Sequence, residues 1–251
     1  MRPGLRRKKV KALEALILAG GLGRRLRTVV SDVPKPMAPI NGRPFLGYIL
    51  DQLTKSDFKK IYISVGYLAD SVIEKFRYNY NGLEIEYVRE NEALGTGGAI
   101  SKGLQRCSEE WVFVMNGDTY LEPDYVSMLD FARAADKPII LGANLLDVSR
   151  YGVLVTKRGG LVSFGEKSAS GPGKINAGLY CLPRNLHTPQ SASHPFSFEK
   201  DWLPYLIKEY GVGVLEYSGL FIDIGVPEDL EKARNLFAMQ SKAHKPDARQ
   251  K

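Results

Sequence analysis

Histidine and cysteine are scarce in this sequence, three and two respectively among 251 residues. Cys107 and Cys181 fit no metal or redox spacing, and His187, His194 and His244 form no ligand pattern. This argues against a zinc site or a disulfide framework, and two ordinary thiols in a reducing compartment are expected. Long apolar runs are missing as well. No stretch of about 18 uncharged apolar residues occurs, so no membrane span is expected. The basic N-terminal residues are not followed by the apolar segment of a signal peptide, and a cytoplasmic protein is expected.

A nucleic-acid-binding face is also not expected. The net charge of +7 looks suggestive, but residues 1–11 supply six positive charges and residues 242–251 a net three. The body between these tails is left at −2, so the basicity is confined to the ends of the chain. With 44% hydrophobic residues overall, the chain is able to bury a substantial core.

The chain is organised around Leu16-Ile17-Leu18-Ala19-Gly20-Gly21-Leu22-Gly23-Arg24-Arg25 and the following Pro34-Lys35-Pro36. A short apolar strand, Ala15 to Ala19, empties into a loop with three glycines. Without a Cβ, glycine lets backbone N–H groups approach an anion, and the planar fork of Arg25 can grip phosphate oxygens. The flanking prolines predict an extended, rigidly held Lys35. The spacing matches neither a dinucleotide fingerprint nor a P-loop. At this level a phosphate ligand and a plain strand-to-helix turn both stay open.

Periodicity predicts a helix from Phe45 to about Ser56, a strand over Lys60–Gly66, a helix over Asp70–Tyr78 and an alternating strand over Leu83–Val88. Gly95-Thr96-Gly97-Gly98 opens a helix through Leu104, either as a surface for a flat base or as a flexible helix start. Trp111 to Met115 reads as a central strand covered on both faces, ending at Asn116-Gly117-Asp118. Strands follow over Pro138–Leu146, Tyr151–Val155 and Leu161–Phe164 (a hairpin around Arg158-Gly159-Gly160), and Ile175–Leu182. A helix over Glu199–Glu209, strands over Val212–Tyr217 and Leu220–Ile224, and a helix from Pro227 to about Gln240 complete the chain. Strands alternating with helices imply a doubly wound α/β sheet with ligands at the carboxyl ends of its strands.

Asp118 and Asp223 each end an apolar strand beside a glycine. Such a pair suits Mg²⁺ shared with phosphate oxygens, although Asp also simply favours turns. Glu166-Lys167 pairs a carboxylate for a sugar hydroxyl with an ammonium for a phosphate, or is an exposed ion pair. Asn176-Ala177-Gly178 places a close-approach surface within a strand.

Together, and in this order, these motifs resemble the sugar-1-phosphate nucleotidyltransferases, the nucleoside-diphosphate-sugar pyrophosphorylases. The resemblance implies a Rossmann-like doubly wound mixed sheet with a small β-rich sugar-binding insertion. It implies the reaction of an NTP with a sugar 1-phosphate to give an NDP-sugar and pyrophosphate. On matching positions Leu18, Ala19, Gly20, Gly21 and Gly23 would cradle the nucleotide, with Arg25 and Lys35 neutralising its phosphates. Arg24, where relatives usually carry a small hydroxyl residue, would add a cationic grip. Gly95 and Thr96 would line the base pocket, and Glu92 is a candidate acceptor for guanine. Asp118 and Asp223 would hold Mg²⁺. Glu166, Asn176, Gly178 and Gly152 would shape the sugar site, and Lys167, followed by Ser168 rather than the frequent proline, would hold the sugar phosphate.

One domain over residues 12–241 is expected, with a nucleotide half to about 135, a sugar half beyond it and the two basic tails outside. Asp32 to Gly42, Leu94 to Ala99 and Phe221 to Asp229 look most like the D-glycero-α-D-manno-heptose 1-phosphate guanylyltransferases of bacterial surface polysaccharide synthesis (capsule or lipopolysaccharide). GTP and that heptose 1-phosphate are therefore the expected substrates. Other sugar-1-phosphate nucleotidyltransferases and a non-catalytic nucleotide-sugar-binding module are the alternatives. A glycosyltransferase would want an Asp-x-Asp motif, and Asp118-Thr119-Tyr120 lacks its second acid. The oligomeric state is left open, a homo-oligomer included.

Overall fold

A computed structural model describes residues 13–21, 33–165, 170–189 and 195–243. The first strand, β1 (Leu13–Leu18), is followed by a 3₁₀ turn (Lys35–Met37) and a small ribbon, β2 (Pro39–Ile40) with β3 (Arg43–Pro44). Next come α1 (Phe45–Thr54), β4 (Phe58–Val65), α2 (Ala69–Phe76), β5 (Asn79–Tyr80), β6 (Leu83–Arg89) and α3 (Gly95–Leu104). The middle of the chain forms β7 (Trp111–Asn116), β8 (Thr119–Leu121), α4 (Tyr125–Ala135), β9 (Ile139–Leu145), β10 (Val153–Lys157), β11 (Gly160–Gly165) and β12 (Gly173–Pro183). A π-helical turn (Phe198–Trp202), α5 (Leu203–Glu209), β13 (Gly213–Tyr217), β14 (Phe221–Asp223) and α6 (Pro227–Ala243) complete it. Among the described residues no helix is long and apolar enough to cross a membrane.

Ten of the described strands form one mixed sheet in the order β10-β11-β13-β9-β12-β7-β1-β4-β6-β5. The strands β7, β1, β4 and β6 run parallel, while β12 lies antiparallel between β7 and β9. After β1 the chain first adds β4 and β6 on one side, then returns to place β7 on the other. The carboxyl ends of β1 and β7 therefore form a topological switch point, where an open sheet leaves a crevice.

Both faces of the sheet are covered, which explains the continuous apolar strands. Ala15, Ile17, Phe113 and Met115 face a core shared with Leu50, Val72, Met128 and Phe237 from α1, α2, α4 and α6. Leu16, Val112 and Val114 face the other way, towards Ile100 and Leu104 of α3 and Leu203 and Leu206 of α5. Each of the larger of these side chains, Ala15 apart, contributes roughly 1.5–3 kcal/mol by leaving water.

Four features differ from the sequence reading. Helix α4 was not expected, although Asp124 caps it by accepting the Ser127 N–H at 3.0 Å and Tyr125, Met128, Leu129 and Ala132 form its buried stripe. Lys35 is not extended. It opens a turn closed by Met37 N–H to Pro34 O at 2.7 Å and Ala38 N–H to Lys35 O at 3.0 Å, which outweighs the preference imposed by Pro36. The helix expected from Glu199 begins as a π turn and becomes α-helical only at Leu203, beside Pro204, which has no N–H to donate. Finally, the strand expected over Leu220–Ile224, whose sheet the sequence leaves open, is the short β14 and stands outside the main sheet. It pairs with β8, setting Asp223 opposite Thr119.

Candidate active site

The strand ends at the switch point meet because Gly117 lacks a side chain. Its N–H donates to Leu18 O at 2.9 Å, and a Cβ there would stand 2.7 Å from the same oxygen. The following residue, Asp118, is thereby aimed over the crevice. The β8–β14 ribbon brings the second carboxylate, since Ile224 N–H donates to Asp118 O at 3.0 Å. Lys35, at the head of its turn, bonds to Asp118 and lies 3.7 Å from Asp223 Oδ1. Three residues from three distant parts of the chain thus form one cluster, with two negative charges against one positive.

Asp223 is the strained member of that cluster. Its Oδ1 is buried with no hydrogen-bond partner among the described residues. Burial, and then the charge of Asp118, hold its carboxyl above the usual carboxylate range, against Lys35 and the Gly225 N–H. An orphaned carboxylate oxygen beside a second carboxylate is a donor set for a divalent cation that takes its remaining ligands from phosphate and water. Among the described residues no three His, Cys, Asp or Glu side chains converge on a metal site, so a full protein cage is not what this cluster offers.

Two clefts open at the strand ends, and the cluster lies in the wall of the second. The first, about 640 Å³, is lined by Leu18, Gly20, Gly21, Glu90, Glu92, Gly95 and Thr96. The second, about 660 Å³, is lined by Lys35, Asp118, Gly152, Asn176, Gly178, Glu199 and Asp223. The structure therefore sorts these candidates into two neighbouring groups. Ala19 joins neither lining: it is buried and its N–H is taken by Ser64 O at 2.9 Å. Gly23, Arg24 and Arg25, and likewise Glu166 and Lys167, lie outside the described residues.

The glycines of the first cleft have packing reasons of their own. A Cβ on Gly20 would meet Glu90 Oε1 at 2.6 Å, and one on Gly97 would meet the Phe196 ring at 2.3 Å. Gly97 therefore offers no face to a flat base; it docks the segment containing Phe196. Gly95, at φ +74°, opens α3, and Thr96 Oγ1 accepts the Phe198 N–H at 2.9 Å. Glu92 is exposed at the rim. Glu90, absent from the sequence reading, is held across the floor by Ser64 Oγ, which donates to its Oε1 at 2.8 Å.

In the second cleft an irregularity of β12 between Asn176 and Tyr180 breaks the register with β9, and such bulges re-aim side chains. Asn176 Oδ1 accepts the Gly178 N–H at 3.0 Å, while its Nδ2 donates to Tyr180 Oη at 2.7 Å and Glu199 Oε1 at 2.9 Å. Burial pushes the Tyr180 hydroxyl well above its ordinary pKa, so it stays protonated. Gly152 lies under Phe164, 2.0 Å from where its Cβ would be. Glu199 was missed because a π turn, not a regular helix face, presents it. The only local signal is the Ser197 cap, whose side chain accepts the Lys200 N–H.

Comparison with known proteins supplies an independent line. The model of the family described as nucleotidyl transferase matches residues 14–240. The D-glycero-α-D-manno-heptose 1-phosphate guanylyltransferase of Aneurinibacillus thermoaerophilus is 40% identical over 226 residues, 88% of this chain and 97% of that protein. The protein of the same name from Campylobacter jejuni is 37% identical over 219 residues, 86% of this chain and 96% of its own. The crystal structure of HddC from Yersinia pseudotuberculosis complexed with GMP-PN superposes with a TM-score of 0.79 at 37% identity, covering 90% of this chain and 99% of that one.

Proposed function

The chain belongs to the nucleotidyl transferase family, and from that footing we propose that it joins GTP to D-glycero-α-D-manno-heptose 1-phosphate, releasing pyrophosphate. The product, a GDP-heptose, would serve bacterial surface polysaccharide synthesis. The observation that carries the reading is the Lys35–Asp118–Asp223 cluster in the wall of one of two clefts of similar volume, one for each substrate. Relatives named for this activity and spanning most of the chain support the choice of base and sugar.

In the proposed reaction an oxygen of the sugar phosphate attacks the α-phosphorus of GTP. A P–O bond forms there as the bond to pyrophosphate breaks in line. The attacking phosphate is already ionised, so no side chain has to remove a proton. The work left to the protein is to hold two anions together and screen their repulsion. Lys35 supplies a fixed positive charge in the wall of the second cleft. Asp118 and Asp223 would hold Mg²⁺, which when bound neutralises phosphate oxygens; the orphaned Asp223 Oδ1 supports this assignment. Guanine presents N1–H and N2–H₂ donors, and Glu90, pinned by Ser64, is an acceptor within the first cleft. Glu92 stands at its exposed rim. Asn176 and Glu199 present polar atoms suited to sugar hydroxyls. A cytoplasmic location, where nucleoside triphosphates are available, belongs to the same proposal.

The test is a matrix of GTP, UTP, dTTP, CTP and ATP against heptose, mannose and glucose 1-phosphates, read by pyrophosphate release. GTP with the heptose phosphate is expected to give the highest kcat/KM. Preference for UTP or dTTP would remove the guanylyl assignment, and no release with any pair would remove the catalytic one.

A further inference from the structure

The sugar-side cleft shares a wall with an outer hollow of about 630 Å³, and Arg150 and Tyr151 line both. Arg150 Nη2 lies 2.7 Å from Asp229 Oδ2. Asp229 stands in the first turn of α6, where the helix dipole favours an anion. It lines the outer hollow and is buried, and its other oxygen takes Lys232 Nζ at 3.0 Å. The Arg150 guanidinium also sits 5.6 Å from the centre of the Tyr151 ring. That ring meets Phe221 edge-on at 5.7 Å. Phe221 begins β14 and Asp223 ends it. On the other side, Gly152 O accepts the Asn176 N–H at 3.2 Å. One ion pair therefore anchors a segment that leads in one direction to Asp223 and in the other to Asn176.

We propose that the Arg150–Asp229 pair is a latch for the acceptor side of the site, with Arg150 as a positioning residue. It holds the Tyr151–Gly152 wall against α6 and, through Tyr151 and Phe221, sets the Asp223 carboxylate. A guanidinium suits this task because its planar fork fixes direction as well as charge. An ammonium on a flexible stem in the same place would supply the charge alone. Among the described residues the backbone of the segment is also tied by Val148 N–H to Gly171 O at 3.1 Å, Tyr151 N–H to Val148 O at 2.9 Å and Ser149 N–H to Asp147 Oδ1 at 3.0 Å, none of which reaches α6.

The kinetic part of this inference rests on the sugar 1-phosphate reading, so the test has a second arm that does not. Asp229→Asn and Arg150→Met are each expected to raise the KM for the sugar 1-phosphate about ten-fold or more while KM for GTP stays within about two-fold. Their combination should be no worse than the more damaging single change, and Arg150→Lys should recover only part of the loss. Without substrates, hydrogen exchange across residues 147–152 and 221–223 should quicken in both single variants. A wild-type sugar KM in Asp229→Asn beside a raised one in Arg150→Met would mean that Arg150 meets the substrate directly, and would overturn the latch. Unchanged exchange in both variants would overturn it too. Failure of the wild-type protein to turn over any sugar 1-phosphate would remove the functional reading alone, and exchange would still decide the latch.

Discussion

Replacing Asp223 with asparagine should make the protein more stable and less active at once. Without a metal, Lys35 faces two carboxylates, and one oxygen of the half-buried Asp223 carboxyl has no hydrogen-bond partner among the described residues. Asparagine keeps the shape and removes the charge. An amide atom still stands at the unpartnered position, so the gain comes from removing the charge that burial and Asp118 oppose. At roughly 2–4 °C per kcal/mol for a chain of this size, a gain of about 1 kcal/mol would raise Tm by about 2–4 °C. Loss of the carboxylate should lower kcat/KM by ~10² or more, as for other lost electrostatic stabilisers. The sign of the pH dependence follows from the raised carboxyl pKa, which burial and then Asp118 cause. The native state holds that proton more tightly than the unfolded chain does. Wild-type stability is therefore highest below the unfolded carboxylate pKa of about 4 and falls as pH climbs through the higher folded value. Asp223→Asn lacks that loss, so the difference in Tm should be largest near pH 8 and close in acid. Thermal melts in chelator from pH 4 to 8, then with Mg²⁺ and GTP, measure both effects, since bound ligand should stabilise the wild type more. A variant less stable than wild type at pH 8 in chelator, or one keeping more than about half of kcat/KM, would refute the reasoning.

Lys35→Ala should lower kcat/KM by ~10² or more; near-wild-type pyrophosphate release at saturating Mg²⁺ would contradict its role. Gly97→Ala places a Cβ 2.3 Å from the Phe196 ring, and such overpacking costs about 1–3 kcal/mol. A lower Tm with a raised KM for GTP is expected, measured by melts and initial rates. Asp124→Ala removes the cap of α4 and should cost about 1 kcal/mol without changing kcat/KM, because the cap is remote from both clefts. Burial pushes the thiols of Cys107 and Cys181 up to about 12. Iodoacetamide at pH 8 should therefore label neither in the native protein and both after denaturation; rapid native labelling would contradict their burial.

Local pattern alone determined the parallel strands at the centre of the fold. A run such as Trp111 to Met115 has no polar face, and only a sheet covered on both sides can hold it. The two acids beside glycines and the glycine loop were legible for a similar reason, because each marks a place where a strand must stop sharply. The hairpin around Gly159, and the start of α6 at Pro227, followed from turn and cap chemistry. Helix α4 was legible too, through its cap and apolar stripe, although its signal lay between two stronger ones.

Contacts between distant segments decided the rest. Spacing does not show that β14 leaves the main sheet to pair with β8, yet this pairing sets Asp223 beside Asp118 across more than a hundred residues. Lys35 owes its place to turn hydrogen bonds that outweighed a local preference for extended backbone. Glu90 and Glu199 carry no local mark, since a carboxylate on a loop or a π turn looks like any surface acid until its partner is known. Ser64 for the first and Asn176 for the second come from other strands, and the sheet order brings them into reach. Strand and turn preferences act over a few residues and are written locally, whereas a site made at a switch point exists only once the strands have been sorted.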